Sequence, residues 1–275
     1  MDSAGLLEVA LAAARDAVAV QRRQLGRVRV EDWSEKGVAD FVTHVDREAE
    51  AAIVARIGDA FPDHAILAEE AASDAGSNAP VGRSDWVWIV DPLDGTTNYL
   101  HAFPAFSVSI GVQHRGELVA GLVMHGVTDE VWTAVRGGGA FHDGRPIRVS
   151  SVETLRLALV GTGFPYRYVE SIPPYLRQLD AVMRNAAGVR RAGSAALDLC
   201  HLAMGRFDGF WEQRLAPWDV AAGTLIVREA GGIVTDLAGR AAVLGGGSIL
   251  AGNPRIHQQL GDLLRDAETT GPVKG

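Results

Sequence analysis

Two aspartates three residues apart, Asp91 and Asp94, close the apolar run in WVWIVDPLDGTTNYL, residues 86–100. Carboxylates that close repel one another and need an offsetting partner. Asp followed by Pro is a type I turn signature, and a turn alone accounts for many such stretches. It does not account for two acids on one rim. A hard divalent cation does, because Mg²⁺ takes oxygen ligands in octahedral geometry. The following residues, Gly95 to Asn98, read as the start of a short helix whose unpaired N–H groups face an anion. Metal-binding carboxylates beside phosphate-binding amides describe the hydrolysis of a phosphate ester.

Further acids stand at the ends of other elements. Glu69 and Glu70 close AILAEE, and Asp219 opens the helix-like run in PWDVAAGTLIVREAGG. Singly, each has an ordinary reading: surface glutamates, or an acid that favours a helix dipole. Together, three separate elements each deliver an acid at a strand or helix end. Two metal ions roughly 3.5–4 Å apart activate a water and clamp both oxygens of an in-line displacement, with no covalent nucleophile. Cys200 lies on an apolar helix face and reads as core. Ser194 has no neighbouring histidine and no G-x-S-x-G elbow. The eight histidines form no ligand spacing.

The elements that must position these groups are legible in outline. Residues 4–24 carry apolar positions at helical spacing. Thr43 and Asp46 form a capping-box pattern ahead of a helix with Val45, Ala49, Ala52, Ile53 and Ile57 on one face. AILAEE reads as a short strand over 65–70, and 71–85 as a polar loop. WVWIV (86–90) is a strand buried on both faces. Residues 106–150 read as an antiparallel meander with glycine turns, ending in a strand over PIRVS. The second half alternates again: strands in LALVGTG, FDGFWE, GIVTD and SILAGN, and helices in 171–187, 194–205 and 218–230. Asn253 and Pro254 open a last helix. GTGFP (161–165) has a glycine-rich look without a P-loop lysine and is given a structural role. The pattern is layered α and β, one large unit over 1–275 with two halves of about 1–150 and 151–270 sharing the site.

The bulk numbers bound the partners. The chain has 275 residues, 47% hydrophobic and 22% charged, with net charge −8. That balance argues against general nucleic-acid affinity and leaves room for a small phosphorylated substrate bound through cations. One cysteine permits no internal disulfide and fits a reducing cytoplasm. The N-terminus lacks a basic leader followed by an unbroken apolar core. No 18-residue uncharged apolar stretch is present, so no membrane span is expected.

The segments WVWIVDPLDGTTNYLHAFPAFSVSIGV and WDVAAGTLIVREAGG, with ILAEE, GGGAFHDG and GSAALDLCHLAMGRFDGFWE in order between and around them, resemble the inositol monophosphatase family from about Lys36 to Asn253. The resemblance implies an α+β fold, a layered α-β-α-β-α sandwich of the sugar-phosphatase type with mixed and antiparallel sheets. It also implies Mg²⁺-dependent, Li⁺-sensitive phosphomonoesterase activity in a homodimer. Carried onto this sequence, it makes Glu69, Asp91, Asp94, Asp219 and the Leu93 carbonyl metal ligands. It makes Thr96, paired with Asp46, the group that orients the attacking water. The Gly95 and Thr96 amides become phosphate contacts, and Gly193, Ser194, Ala195 and Glu212 touch the hydroxyl-bearing ring. Lys36 falls where the family has a mobile loop residue near the metals. Two departures are small: Ala68 precedes the double glutamate where glycine is common, and FHDG replaces Phe-x-Asn-Gly.

The substrate expected is myo-inositol monophosphate, since Glu212 after FDGFW can accept hydrogen bonds from ring hydroxyls. Arg167, Arg190 and Arg191 keep fructose 1,6-bisphosphate, histidinol phosphate or a 3′-phosphonucleotide open. A reading of another class, a partner-binding regulatory protein on the same fold, is opposed by the intact acids.

Overall fold

Apolar runs too short for helices, separated by glycine turns, pair into a seven-stranded sheet in the first half of the chain. The computed structural model describes residues 3–29, 31, 33–37, 40–75, 84–241 and 247–269. A small antiparallel hairpin joins β1 (Ser34–Gly37) to β2 (Asp40–Val42). The large sheet follows in sequence order: β3 (Ala65–Ala68), β4 (Trp86–Asp94), β5 (Ser107–His114), β6 (Glu117–His125), β7 (Val131–Val135), β8 (Gly139–His142) and β9 (Arg145–Pro146). Only the β3–β4 pair is parallel. Two of its hairpins turn through paired positive φ values, Arg115 and Gly116 (52° and 83°) and Asp143 and Gly144 (48° and 74°). Those angles suit a two-residue turn that follows the strand twist.

The second sheet has the order β11-β10-β12-β14-β13, from β10 (Leu159–Thr162), β11 (Gly188–Arg190), β12 (Gly209–Leu215), β13 (Ile233–Thr235) and β14 (Gly247–Gly252). β10 runs parallel to both β11 and β12, and the remaining pairs are antiparallel.

Helices make the other three layers. α1 (Ser3–Gln24) and α2 (His44–Ala60) pack together on the outer face of the large sheet. α3 (Glu69–Ala75) and α4 (Thr96–Leu100) are short and sit at strand ends. α5 (Ile172–Asn185) and α8 (Pro254–Thr269) cover the outer face of the small sheet. Between the sheets lie α6 (Ala195–Ala203) and α7 (Pro217–Glu229). The layering is α-β-α-β-α, as expected. One core cluster runs from Ile89 and Trp132 of the large sheet through α6 and α7 to Phe210 and Ile249 of the small one.

α7 can lie close because the sheet beneath it is bare. Gly111 and Gly121 are cross-strand partners on β5 and β6. A Cβ on Gly111 would stand 2.8 Å from Ala221 Cβ, and one on Gly121 3.0 Å from the Ala222 carbonyl. That close approach fixes the height of Asp219, two residues before Ala221, above the sheet.

Three expectations are corrected. AILAEE is a strand only to Ala68, and Glu69 and Glu70 open α3 instead. Glu50 of α2 explains the change, because its carboxylate accepts hydrogen bonds from Glu70 N (2.7 Å) and Ala71 N (2.9 Å) and so caps the helix. PIRVS contributes only Pro146 to a strand; Val149 instead donates to the Ala230 carbonyl at 3.1 Å. The polar loop expected over 71–85 is helical from Ala71 to Ala75, within α3.

Candidate active site

The end of β4 carries the densest chemistry. Asp91 pairs with Ser109 and Asp94 with Ser107, so three steps on β4 oppose two on β5. The turn expected at DPLDG is therefore a bulge inside the strand, where an extra residue redirects side chains. Asp91 Oδ1 accepts a hydrogen bond from Leu93 N at 2.9 Å, which folds the bulge. Gly95 then adopts φ 96°, the left-handed region that suits glycine. A Cβ there would also meet the carbonyls of Ala105 (2.9 Å) and Gly193 (3.1 Å). α4 begins at the next residue.

Thr96 is held from two sides. Its Oγ1 lies 3.2 Å from Asp46 Oδ1 and 3.1 Å from the Leu93 carbonyl. Asp46 is fixed in turn by the capping box read from the sequence: its Oδ2 accepts from Thr43 N (2.9 Å) and Thr43 Oγ1 (2.8 Å). Asp46 is 1% exposed and stands behind the cavity wall.

Asp94 is tied to both β5 and α6 through one carboxylate oxygen. Its Oδ2 accepts from Ser194 Oγ (2.5 Å), Ala196 N (2.8 Å) and Ser107 Oγ (3.4 Å). Ser194 also accepts from Leu197 N at 3.3 Å and so caps α6. The hydroxyl is fully buried and faces Asp94 rather than the cavity. Asn98 ties this loop to α4, donating to the Ala192 carbonyl at 2.9 Å and the Ala105 carbonyl at 2.6 Å.

Asp219 arrives from the other side, where its Oδ2 accepts from Ala216 N at 2.7 Å. Ser109, the partner of Asp91, donates to the Trp218 carbonyl at 3.2 Å. This one bond links the start of α7 to the strand beside β4.

Asp91, Asp94, Thr96 and Asp219 line one cavity of about 610 Å³. Glu69, Asp91, Leu93, Asp94 and Asp219 form one part of its wall, continued by Gly95, Thr96, Gly193 and Ala195. Glu212 faces the same space. An aromatic and basic rim completes it, with Arg191 Cζ 5.3 Å and 5.2 Å from the ring centroids of Phe164 and Tyr166, and Arg214 Cζ 4.9 Å from that of Tyr168. Arg190 does not line the cavity. Lys36 belongs to β1, and its side chain lies outside the described residues.

The charges are arranged unfavourably for the acids alone. Burial pushes the Asp91 carboxyl well above the usual range, and Glu69, Asp94 and Asp219 push it further. Burial raises Asp94 too, against the hydrogen bonds from Ser194 and Ala196 that lower it. Glu212 opens partly onto the cavity, yet its packed surroundings raise it well, with Asp198 next in effect and Arg191 opposing. Asp198, which carries no role in the sequence motifs, is 1% exposed and raised by burial and then by Asp94. Among the described residues no three His, Cys, Asp or Glu side chains close into a finished cage; the acids line a common space. The donor set nonetheless fits a hard cation. It offers only oxygens, and the charges that act most strongly on Asp91 are all acids.

Known proteins resemble this chain over nearly its whole length. The family model described as "Inositol monophosphatase family" matches residues 2–269. The chain is 44% identical over 257 residues to the "Nus factor SuhB" of Pseudomonas aeruginosa, covering 93% of this chain and 94% of that protein. It is 43% identical over 265 residues to the "Inositol-1-monophosphatase" of Rhizobium meliloti, covering 96% and 98%. The crystal structure of the extragenic suppressor protein suhB from Bartonella henselae superposes with a TM-score of 0.86 at 41% identity, covering 94% and 98%. With a family match over residues 2–269 and acids from four elements around one cavity, the chain belongs to the inositol monophosphatase family and is a phosphatase.

Proposed function

We propose that this phosphatase hydrolyses the monophosphate ester of a polyhydroxylated ring, myo-inositol monophosphate first, with Mg²⁺ as cofactor and no covalent intermediate. The observation that carries the reading is the single cavity that unites Glu69, Asp91, Asp94 and Asp219 with the Gly95–Thr96 turn and Glu212. Glu69, Asp91, Asp94, Asp219 and the Leu93 carbonyl would hold the metal, which supplies an activated water and neutralises charge on the phosphoryl oxygens. Gly95 and Thr96 present amides to the phosphate. The Thr96 hydroxyl has its one proton within reach of Asp46 and the Leu93 carbonyl, so its lone pairs are left to accept from the attacking water. Ser194 acts through Asp94, steering the carboxylate, and not on the substrate. Gly193 and Ala195 bound the ring, and Glu212 accepts its hydroxyls. In keeping with the family resemblance, Li⁺ inhibits and the working form is a cytoplasmic homodimer of one-domain subunits.

Arg167, Arg191 and Arg214 on the rim support a second anionic group, as in fructose 1,6-bisphosphate or a 3′-phosphonucleotide. Phosphate release from these esters, histidinol phosphate and inositol 1-phosphate, with Mg²⁺, with EDTA and with Li⁺, ranks them. Inositol 1-phosphate should have the highest kcat/KM, EDTA should abolish release, and Mg²⁺ should restore it. Release unchanged by EDTA, or a better bisphosphate, refutes the corresponding part.

The name "Nus factor" on relatives such as that of Vibrio cholerae supports a second reading, a role exerted through a partner. Asp91→Asn separates the two: a cellular role that survives loss of phosphate release belongs to the partner.

A further inference from the structure

Gly163 follows β10 in the GTGFP stretch, and its φ lies outside the left-handed region. Backbone conformation therefore does not ask for glycine here; space does. β10 and β12 are parallel neighbours in the register Val160↔Gly209, Gly161↔Phe210 and Thr162↔Trp211. One step further along both chains brings Gly163 beside Glu212, and laterally adjacent residues of a sheet project to the same face. A Cβ on Gly163 would lie 1.9 Å from both Cδ and Oε1 of Glu212 and 2.3 Å from Oε2. The whole carboxylate rests on the bare Cα.

The same loop fixes what faces that carboxylate. Thr162 Oγ1 contacts Tyr175 OH at 2.9 Å and the Gly163 carbonyl at 3.3 Å, pinning the loop where it leaves the strand. Phe164 and Tyr166 then hold the Arg191 guanidinium against their rings, and Arg191 lines the same cavity as Glu212, where its charge favours the carboxylate form. Four consecutive residues, 163–166, thus set both the seat of the acid and the place of its counter-charge.

We propose that Gly163 is a specificity-determining position: its bare Cα seats the Glu212 carboxylate so that the cavity selects phosphate esters of polyhydroxylated rings. The proposal rests on the reading of Glu212 as a hydroxyl acceptor. A seated glutamate is a pre-formed acceptor, and a site built to bond a hydroxyl rejects substrates that leave its buried groups unpaired. Any side chain at 163 drives the carboxylate off its seat, because contacts under 2.5 Å must be relieved.

The test is the KM and kcat of Gly163→Ala, Glu212→Gln and Gly163→Ala/Glu212→Asp on inositol 1-phosphate and on p-nitrophenyl phosphate, which has no ring hydroxyl. Gly163→Ala should raise KM for inositol 1-phosphate by about tenfold or more, and by clearly more than for p-nitrophenyl phosphate. Shortening the acid in the double variant should restore part of the preference. If Glu212→Gln erodes the preference and Gly163→Ala does not, the seat is overturned while the hydroxyl reading stands. If Glu212→Gln leaves the preference intact, the hydroxyl reading falls and takes the specificity role with it. The contact itself is then judged by Tm: Gly163→Ala should lower it in the wild type and not in a Glu212→Ala background. Should Gly163→Ala fail to fold, Gly163→Ala/Glu212→Ala must fold; failure of both overturns the seat.

Discussion

Asp91→Asn should stabilise the chelated protein while destroying its activity. Asp91 is 2% exposed and feels the charges of Glu69, Asp94 and Asp219. At an effective dielectric near 20, each ionised neighbour within roughly 6–8 Å opposes its charge by about 2–3 kcal/mol. Shared protonation and water in the cavity leave about a third of that sum, roughly 2–3 kcal/mol. Asparagine keeps an acceptor for Leu93 N, though a weaker one by about 1 kcal/mol. Its amide also donates to Glu69, where two acids now compete for one proton. The net gain in EDTA is about 1–2 kcal/mol, or roughly 2–8 °C in Tm. With Mg²⁺ at 100 times its Kd the wild type gains about 2.7 kcal/mol by linkage, and the variant gains less. The order of stability should therefore reverse between EDTA and Mg²⁺, while kcat/KM falls by about 10²-fold or more, near 1.4 kcal/mol per decade. Differential scanning calorimetry and a phosphate-release assay measure both. A variant less stable than wild type in EDTA refutes the repulsion argument, and an unchanged Mg²⁺ shift removes Asp91 from the ligand set.

Gly111→Val should lower stability by about 1–3 kcal/mol through overpacking, because its Cβ meets Ala221 Cβ at 2.8 Å; it should also lower kcat, since α7 carries Asp219. Urea unfolding with kinetics checks this, and full activity would mean that α7 height does not set the site. His201→Gln should flatten the acid limb of stability. Burial, and then Arg206, lowers the His201 pKa from 6.5 to about 4. The unfolded chain thus binds a proton across that window while the folded chain does not, and stability is lost as pH falls from 6.5 toward 4. A shift of that size amounts to no more than about 3 kcal/mol, reduced by solvent at the partly exposed ring. Parallel stability–pH curves for variant and wild type would refute the assignment.

The local parts of this protein are written in the sequence. WVWIV, the Thr43–Asp46 capping box, the Asp143–Gly144 turn and the Asn253 cap depend on neighbours a few residues away, and each forms as read. The acids at element ends are legible for the same reason: the motif holds both the acid and the turn that aims it. Long-range contacts had no such signal. Glu50 ends β3 early from twenty residues away, and Ser194 reaches Asp94 across a hundred. Ser194 shows the limit best. The family resemblance places it among the substrate contacts, but the direction of its hydroxyl depends on where α6 docks between the sheets. Gly163 is similar, because only the β10–β12 register brings Glu212 above it. Sequence determined which groups are present and which turns carry them. Tertiary packing decided which of them face the cavity, because side-chain direction at a strand or helix end is fixed by what the neighbouring layer leaves room for.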